Sequence, residues 1–216
     1  MDKPFDDILV KTMQDTMLYL CENIQNCVVG YTQSDEITLL LIDYQNKDSE
    51  SWFGNNIQKM VSVSASMATL AFNMFFKNND EYQKYIAKYN KALFDSRVFS
   101  LPKEEVANCF IWRQEDAIKN SISSLGQYHF NQKQLNKQNS KEVISLLKTK
   151  NIFWEDFPTT LQRGSCCIRK QMTIETPLGV CERNKFVIDN DIPIFIDNKE
   201  YINNLVYLKK GENNVK

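Results

Sequence analysis

At 216 residues, with 43% apolar and 25% charged side chains, the chain carries enough apolar material for one sizeable core and too much for a disordered tail. It has no apolar run of about 18 residues and opens on "MDKPFDD", so neither a spanning helix nor a signal peptide is expected and a cytoplasmic setting is. Lysine plus arginine, 26, nearly balances aspartate plus glutamate, 27, so a polyanionic partner would have to be met by a local patch rather than by the overall field.

Six cysteines form no Cys-x-x-Cys pair and His129 is the only histidine, which argues against zinc and for reduced thiols. His129 lies in the polar stretch "GQYHFNQKQ" and reads as a surface residue.

From Asp6 to Asn26, the residues Leu9, Met13, Met17, Leu20 and Ile24 recur every three or four positions and predict a helix with one buried stripe, started by Pro4 and Asp6. The runs "NCVVGYT" and "ITLLLIDY" are rich in β-branched and aromatic residues and predict a hairpin with Asp35 and Glu36 at its turn. Carboxylates do not enter a sheet core unpaired, so the two either mark a solvated tip or hold a cation. Neighbours along a strand point to opposite faces, so a cation here would need a second ligand from another strand.

A second long helix is predicted from about Ser51 to Phe76, where Phe53, Ile57, Met60, Ser64, Met67 and Ala71 keep helical spacing. After the charged insert "KNNDEYQKYIAKYN", the segment "ALFDSRVFSLP" alternates and predicts a strand. Leu93, Asp95, Arg97 and Phe99 share one face, and Phe94, Ser96 and Val98 the other. A helix follows from about Lys103 to Leu125, then helical pieces in "QKQLNKQNS" and "KEVISLLKTK". The chain closes with a hairpin, "SCCIRKQMTIE" and "GVCERNKFVID" around "TPL", and a short strand, "DIPIFI".

Helix, strand, strand, helix, strand is a ferredoxin-like βαββαβ unit without its first strand, and the expected class is α+β. That first strand is interior to the sheet. Its absence predicts unpaired ladder groups, an unfilled core slot and a tendency to aggregate.

The blocks "GYTQSDEITLLL", "FDSRVFSLP" and "FIWRQEDAIKNSI", in this order and spacing, resemble the tRNA-His guanylyltransferase family, and more closely its branch of tRNA-His guanylyltransferase-like proteins. They cover the chain from about Lys3 to Asn120, and "RGSCCIRK" with "ERNKFVID" resembles the branch's C-terminal region. The resemblance implies a palm of the polymerase and cyclase type over residues 1–126, first strand absent, and a C-terminal helical and β-hairpin extension over 127–216. It implies a nucleotidyltransferase that adds nucleotides to the 5′ end of tRNA in the 3′-to-5′ direction, as end repair or guanylylation, after ATP-dependent activation of the 5′ phosphate. The implied cofactor is Mg2+, two ions in the complete site. The implied partners are tRNA, ATP, GTP and other nucleoside triphosphates, with no membrane, and a homo-oligomer, since the family tends to tetramers.

Carried over residue by residue, the resemblance makes Asp35 a catalytic metal ligand and Glu36 a supporting catalytic carboxylate. Ser34, Lys3, Lys59, Arg97 and Asn120 become nucleotide contacts. From the residues alone Lys3 reads first as a solvated terminal lysine, Lys59 equally well as an exposed helix lysine, and Arg97 alternatively as the structural partner of Asp95. Arg113, Asp116 and Asn120 could share one helical face, turned to tRNA or to water.

Two departures limit the resemblance. Ile118 stands where the eukaryotic branch has a histidine, so general 5′-end repair is expected rather than dedicated recognition of tRNA-His. The family's Arg-x-Asp-Gly block, with the other metal-binding aspartate, precedes the lysine that Lys3 matches and is not in this sequence. Either Met1 is an internal methionine of a longer protein, which is the expectation, or the site is incomplete. The alternative function is then a catalytically incomplete palm relative that binds tRNA or nucleotide. A cyclase-like signalling palm is disfavoured by "FDSR" and "WRQED".

Overall fold

Helix α1, Asp7–Asn23, starts where the sequence predicts, because the Asp6 carboxylate accepts the Leu9 N–H at 2.9 Å and satisfies a first-turn donor. The fold is taken from a computed structural model that describes residues 2–44, 49–77, 82–88, 90–176 and 179–206. Parts of the charged insert (78–81 and 89), of the "TPL" turn (177–178) and of the extension (207–216) lie outside the described residues.

The predicted hairpin forms as β1, Cys27–Gln33, and β2, Glu36–Leu41. The C-terminal hairpin forms as β3, Ser165–Thr176, and β4, Gly179–Asp189. One antiparallel sheet holds all four in the order β2-β1-β3-β4, with Gly30 opposite Cys167 and Tyr31 opposite Cys166. Strands therefore come from both sides of residue 126 and share one sheet.

α1 lies across one sheet face. It approaches closely because Gly30 has no side chain: a Cβ there would stand 2.7 Å from the Cys21 sulfur and 2.8 Å from Met17 Cγ. Met17, Leu20, Cys21, Cys27 and Cys167 form the core of this face, with Met60 and Ala68 of α2, Ile57–Lys77, alongside. On the opposite face α3, Val106–His129, and α7, Lys199–Val206, pack Phe110 and Ile202 against Val29 and Tyr31. α4, Gln132–Leu135, and α5, Ser140–Lys148, follow α3, and Val143 and Leu147 cover Ile122 and Leu125.

Four expectations are corrected. The helix predicted from Ser51 is broken, since Phe53, Gly54 and Asn55 take positive φ and α2 begins only at Ile57. The segment "ALFDSRVFSLP" alternates in exposure as a strand should, yet it joins no ladder among the described residues. The side chains of α2 hold it instead: Asn73 bridges the Ala92 N–H and C=O, and Thr69 Oγ1 accepts the Phe94 N–H at 3.0 Å. "DIPIFI" is not a strand, because the Gln114 side chain takes the bonds a neighbouring strand would take, donating to Pro193 O and accepting from Phe195 N. Finally, α7 was not expected.

Of the two aromatics flanking His129, Tyr128 is exposed and Phe130 is core, under the Lys150 ammonium. His129 ends α3 half-buried, edge-on to Tyr128.

Candidate active site

Gln33 and Glu36 are the last ladder pair of the first hairpin, so Ser34 and Asp35 form a two-residue turn. Ser34 takes φ +51, the left-handed conformation that tight hairpin turns demand and serine seldom adopts. Asp35 is exposed, and its carboxylate has no hydrogen-bond or ion-pair partner among the described residues. Glu36 is engaged: Arg113 Nη2 donates to its Oε2 at 2.7 Å and Gln33 Nε2 at 3.3 Å. This ion pair is half-exposed and contributes about 0–1 kcal/mol, so its main effect is to orient the turn against α3.

The polar face predicted on α3 is present and turns toward the hairpin. Arg113 reaches Glu36, Asp116 accepts from Asn120 Nδ2 at 3.4 Å, and Asn120 lines a cavity of about 140 Å³ together with Ser34. Gln33, Ser121 and Ser124 add polar wall, and Asp2, Pro4 and Asp6 close the side nearest the N-terminal residues. Lys3, between Asp2 and Pro4, is exposed and does not itself line the cavity.

The floor is a short helix the sequence did not announce, α6, Thr159–Arg163. Ser121 Oγ donates to Leu161 O at 2.6 Å and Tyr31 Oη to Arg163 O at 2.8 Å, which fixes α6 between α3 and β1. Gly164 then turns the chain into β3 with φ +83 and ψ −164, and a Cβ there would stand 2.3 Å from Thr32 O. The Arg163 guanidinium donates to Ile192 O, Gln162 Oε1 and Thr159 Oγ1 at 3.0, 2.8 and 3.4 Å. On its far side a larger cleft of about 600 Å³ shares Thr160, Gln162 and Arg163 with the cavity and adds Asn190 and Asp191. The signal that could have found Arg163 is "QRGS", where a glycine with no turn partner follows a cation.

The Asp6 carboxylate is held below its ordinary range. Burial works the other way, but hydrogen bonds from the Tyr85 hydroxyl and the N–H groups of Leu9 and Asp2 outweigh it. It therefore stays charged and locks the cavity's N-terminal wall.

Lys59 and Arg97 are not brought to this cavity. Lys59 is in the first turn of α2, near Phe53, and the chain enters that region at the open end of the hairpin, where Glu50 O accepts from Asn26. Arg97 is 88% exposed beside an equally exposed Asp95 at 3.7 Å.

Magnesium needs several oxygen ligands, and a pair of ions needs convergent carboxylates. Among the described residues no three His, Cys, Asp or Glu side chains are grouped to hold a metal. Asp35 is one available ligand, Glu36 is turned to Arg113 and Asp95 to Arg97, so the described residues do not fit a two-metal centre. No described helix is long and apolar enough to cross a membrane.

The family profile tRNAHis guanylyltransferase (Thg1) matches residues 1–102. Among solved structures, a bacterial tRNA(His) guanylyltransferase (Thg1)-like protein in complex with ATP superposes with a TM-score of 0.82 at 42% identity, over 95% of this chain and 82% of that one. A bacterial Thg1-like protein in complex with GTP gives 0.78 at 37% identity, over 95% and 81%. The tRNA(His) guanylyltransferase of Saccharomyces cerevisiae, 19% identical, shares the fold with a TM-score of 0.63 over 92% and 83%. No curated protein matches. With two bacterial relatives this similar along nearly its whole length, the chain belongs to the Thg1-like members of the tRNAHis guanylyltransferase family, a family of nucleotidyltransferases.

Proposed function

We propose that the chain adds nucleotides to the 5′ end of tRNA in the 3′-to-5′ direction, as end repair, after activating the 5′ phosphate with ATP in the cytoplasm. The observation that carries this reading is the cavity where Ser34 of the hairpin turn and Asn120 of α3 meet. Both were expected to contact nucleotide, and they arrive from separate elements. The likeness to relatives bound to ATP and GTP supports the same ligand class here.

At about 140 Å³ the cavity takes one part of a nucleoside triphosphate, and the about 600 Å³ cleft beyond Arg163 has room for the remainder. The Ser34 hydroxyl and the Asn120 amide donate to phosphate or ribose oxygens, and Lys3 and Arg163 supply positive charge at the two margins. Lys59 and Arg97 remain proposed phosphate contacts on the resemblance alone. Residues 1–126 are the palm-like unit and 127–216 its extension, in a homo-oligomer.

Asp35 is the proposed magnesium ligand. Magnesium, when bound, stabilises charge on the phosphates being exchanged.

A second reading rests on Asp35 having no grouped carboxylates beside it among the described residues: a palm relative that holds tRNA or nucleotide without turnover. The test is incubation with 5′-monophosphorylated tRNA lacking its first nucleotide, together with ATP, GTP and Mg2+. The expected result is 5′ extension, reduced about 100-fold by Asp35→Ala. ATP binding in calorimetry should weaken about tenfold in Asn120→Ala. Binding without any extension selects the second reading, and extension that survives Asp35→Ala removes Asp35 from the site.

A further inference from the structure

Two carboxylates stand side by side at the tip of the first hairpin, and α3 treats them differently. Asp35 has no hydrogen-bond or ion-pair partner among the described residues. Both bonds to Glu36 end on one oxygen: Oε2 accepts from Arg113 Nη2 at 2.7 Å and from Gln33 Nε2 at 3.3 Å. A guanidinium on a carboxylate takes up the charge that a base or a metal ligand would have to offer. Glu36 is therefore poorly placed for the chemistry and well placed to fix a position.

What it fixes follows from the register. Gln33 and Glu36 close the ladder with only Ser34 and Asp35 between them, so the carboxylate sits one residue beyond the turn it holds. Thr32 Oγ1 donates to Glu36 O at 2.8 Å, which ties the backbone of Glu36 as well as its side chain. Ser34 needs this support, because φ +51 is sparsely populated by serine. Arg113 is braced in turn, with its guanidinium 5.5 Å from the centre of the Trp112 ring. Two helical turns further along α3, the same face carries Asn120 to the cavity that Ser34 lines. One rigid helix thus presents Asn120 to a ligand and Arg113 to the turn. Among the described residues the Arg113 to Glu36 bond is the one hydrogen bond from α3 to the turn.

We propose that Arg113 and Glu36 are positioning residues, whose ion pair sets the separation between the Ser34 hydroxyl and the Asn120 amide and so the grip on a nucleotide. This rests on the reading that the cavity takes part of a nucleoside triphosphate. Glu36 then acts through Arg113 and not as a catalytic carboxylate, and Arg113 serves the turn and not a phosphate. An ion pair this exposed adds little to stability, yet a binding group displaced by about 1 Å can lose most of its effect.

The proposal is tested by ATP calorimetry on variants whose fold is checked by urea unfolding. Arg113→Met keeps an unbranched stem beside Trp112 and removes the guanidinium, so the Kd for ATP should rise about tenfold while the urea midpoint stays that of the wild type. Asn120→Ala should cost about threefold or less in the Arg113→Met background, because the amide no longer has Ser34 held opposite it. Glu36→Gln leaves an oxygen for Arg113 and should raise the Kd by about threefold at most. Glu36→Arg should bind ATP as weakly as Arg113→Met, and the swapped E36R/R113E chain should return to within about threefold of wild type. In 5′ extension, Glu36→Gln should keep kcat within about threefold, where loss of a catalytic carboxylate would lower it about 100-fold.

Unchanged ATP affinity in Arg113→Met, beside a tenfold loss in Asn120→Ala, would overturn the positioning role and leave the nucleotide reading standing. Independent losses from Arg113→Met and Asn120→Ala, or a swapped chain as weak as Glu36→Arg, would do the same. The swap also separates two roles for Arg113, since a phosphate contact needs a cation at position 113 and positioning needs only opposite signs. A wild-type chain that binds no ATP would remove the nucleotide reading itself, and this proposal with it.

Discussion

Strand β1 and the 92–99 segment are both extended, apolar-rich runs, and they meet opposite fates. β1 is buried over Cys27–Thr32 and bonded to a strand on either side. The 92–99 segment lies on α2 with one face exposed throughout and no ladder neighbour among the described residues. A period of two decides which side chains share a face, and it did so correctly for the 92–99 segment. Whether the backbone finds a partner depends on which distant segment arrives beside it. For β1 that segment is β3, delivered by α6 and Gly164; for 92–99 the nearest polar groups are side chains of a helix.

The closed half should therefore break at the point that delivers its partner strand. Gly164→Ala places a Cβ 2.3 Å from Thr32 O at a φ and ψ open essentially to glycine alone. Its cost should be about 3 kcal/mol or more, read as a large fall in the urea midpoint or as failure to fold. Tolerance of alanine there would mean that β3 does not approach β1 as closely as this geometry requires.

A matched pair of truncations sharpens the contrast. Met17→Ala removes a fully buried side chain over Gly30 and should cost about 2–5 kcal/mol. Leu93→Ala, at 87% exposure, should stay within about 0.5 kcal/mol. Equal costs in urea unfolding would show that the open face is covered.

The same contrast explains what the sequence revealed. α1 was legible from its start because an aspartate cap and a long apolar stripe are both local signals. The turn at Ser34 and Asp35 was legible for the same reason. α2 was begun too early because the hydrophobic spacing through Phe53 outweighed the breaker signal of Gly54-Asn55. α7 was missed although Asn198 caps it, accepting the Tyr201 N–H, and Ile202 and Val206 repeat at helical spacing. The proline and isoleucines just before it had suggested a strand instead.

Of the candidate site, Ser34 and Asn120 came from the resemblance, and the fold brings these two to one cavity. Its floor was not legible, since α6 is too short for periodicity and is held by Ser121 and Tyr31 from elsewhere in the chain. Lys59 and Arg97 came from the same resemblance, and the fold leaves them away from that cavity.

The two halves are tied near the cavity by Asp6, and breaking this link should have a modest effect. Its carboxylate caps α1 and accepts from Tyr85 Oη at 2.6 Å, joining the 82–88 turn to the first helix. Because its folded-state pKa lies below the usual carboxylate value, the unfolded chain binds the proton more tightly. The stabilisation is complete above the unfolded value and is lost as pH falls through the folded one. Asn is nearly as good an N-cap acceptor, so Asp6→Asn should cost about 1 kcal/mol at neutral pH, mainly for the weakened Tyr85 and Asp2 bonds. Below about pH 4 the variant should lose stability with a shallower slope than the wild type, and the two curves should converge. Parallel curves in acid titrations followed by circular dichroism would show that Asp6 is not among the groups whose protonation loosens the fold.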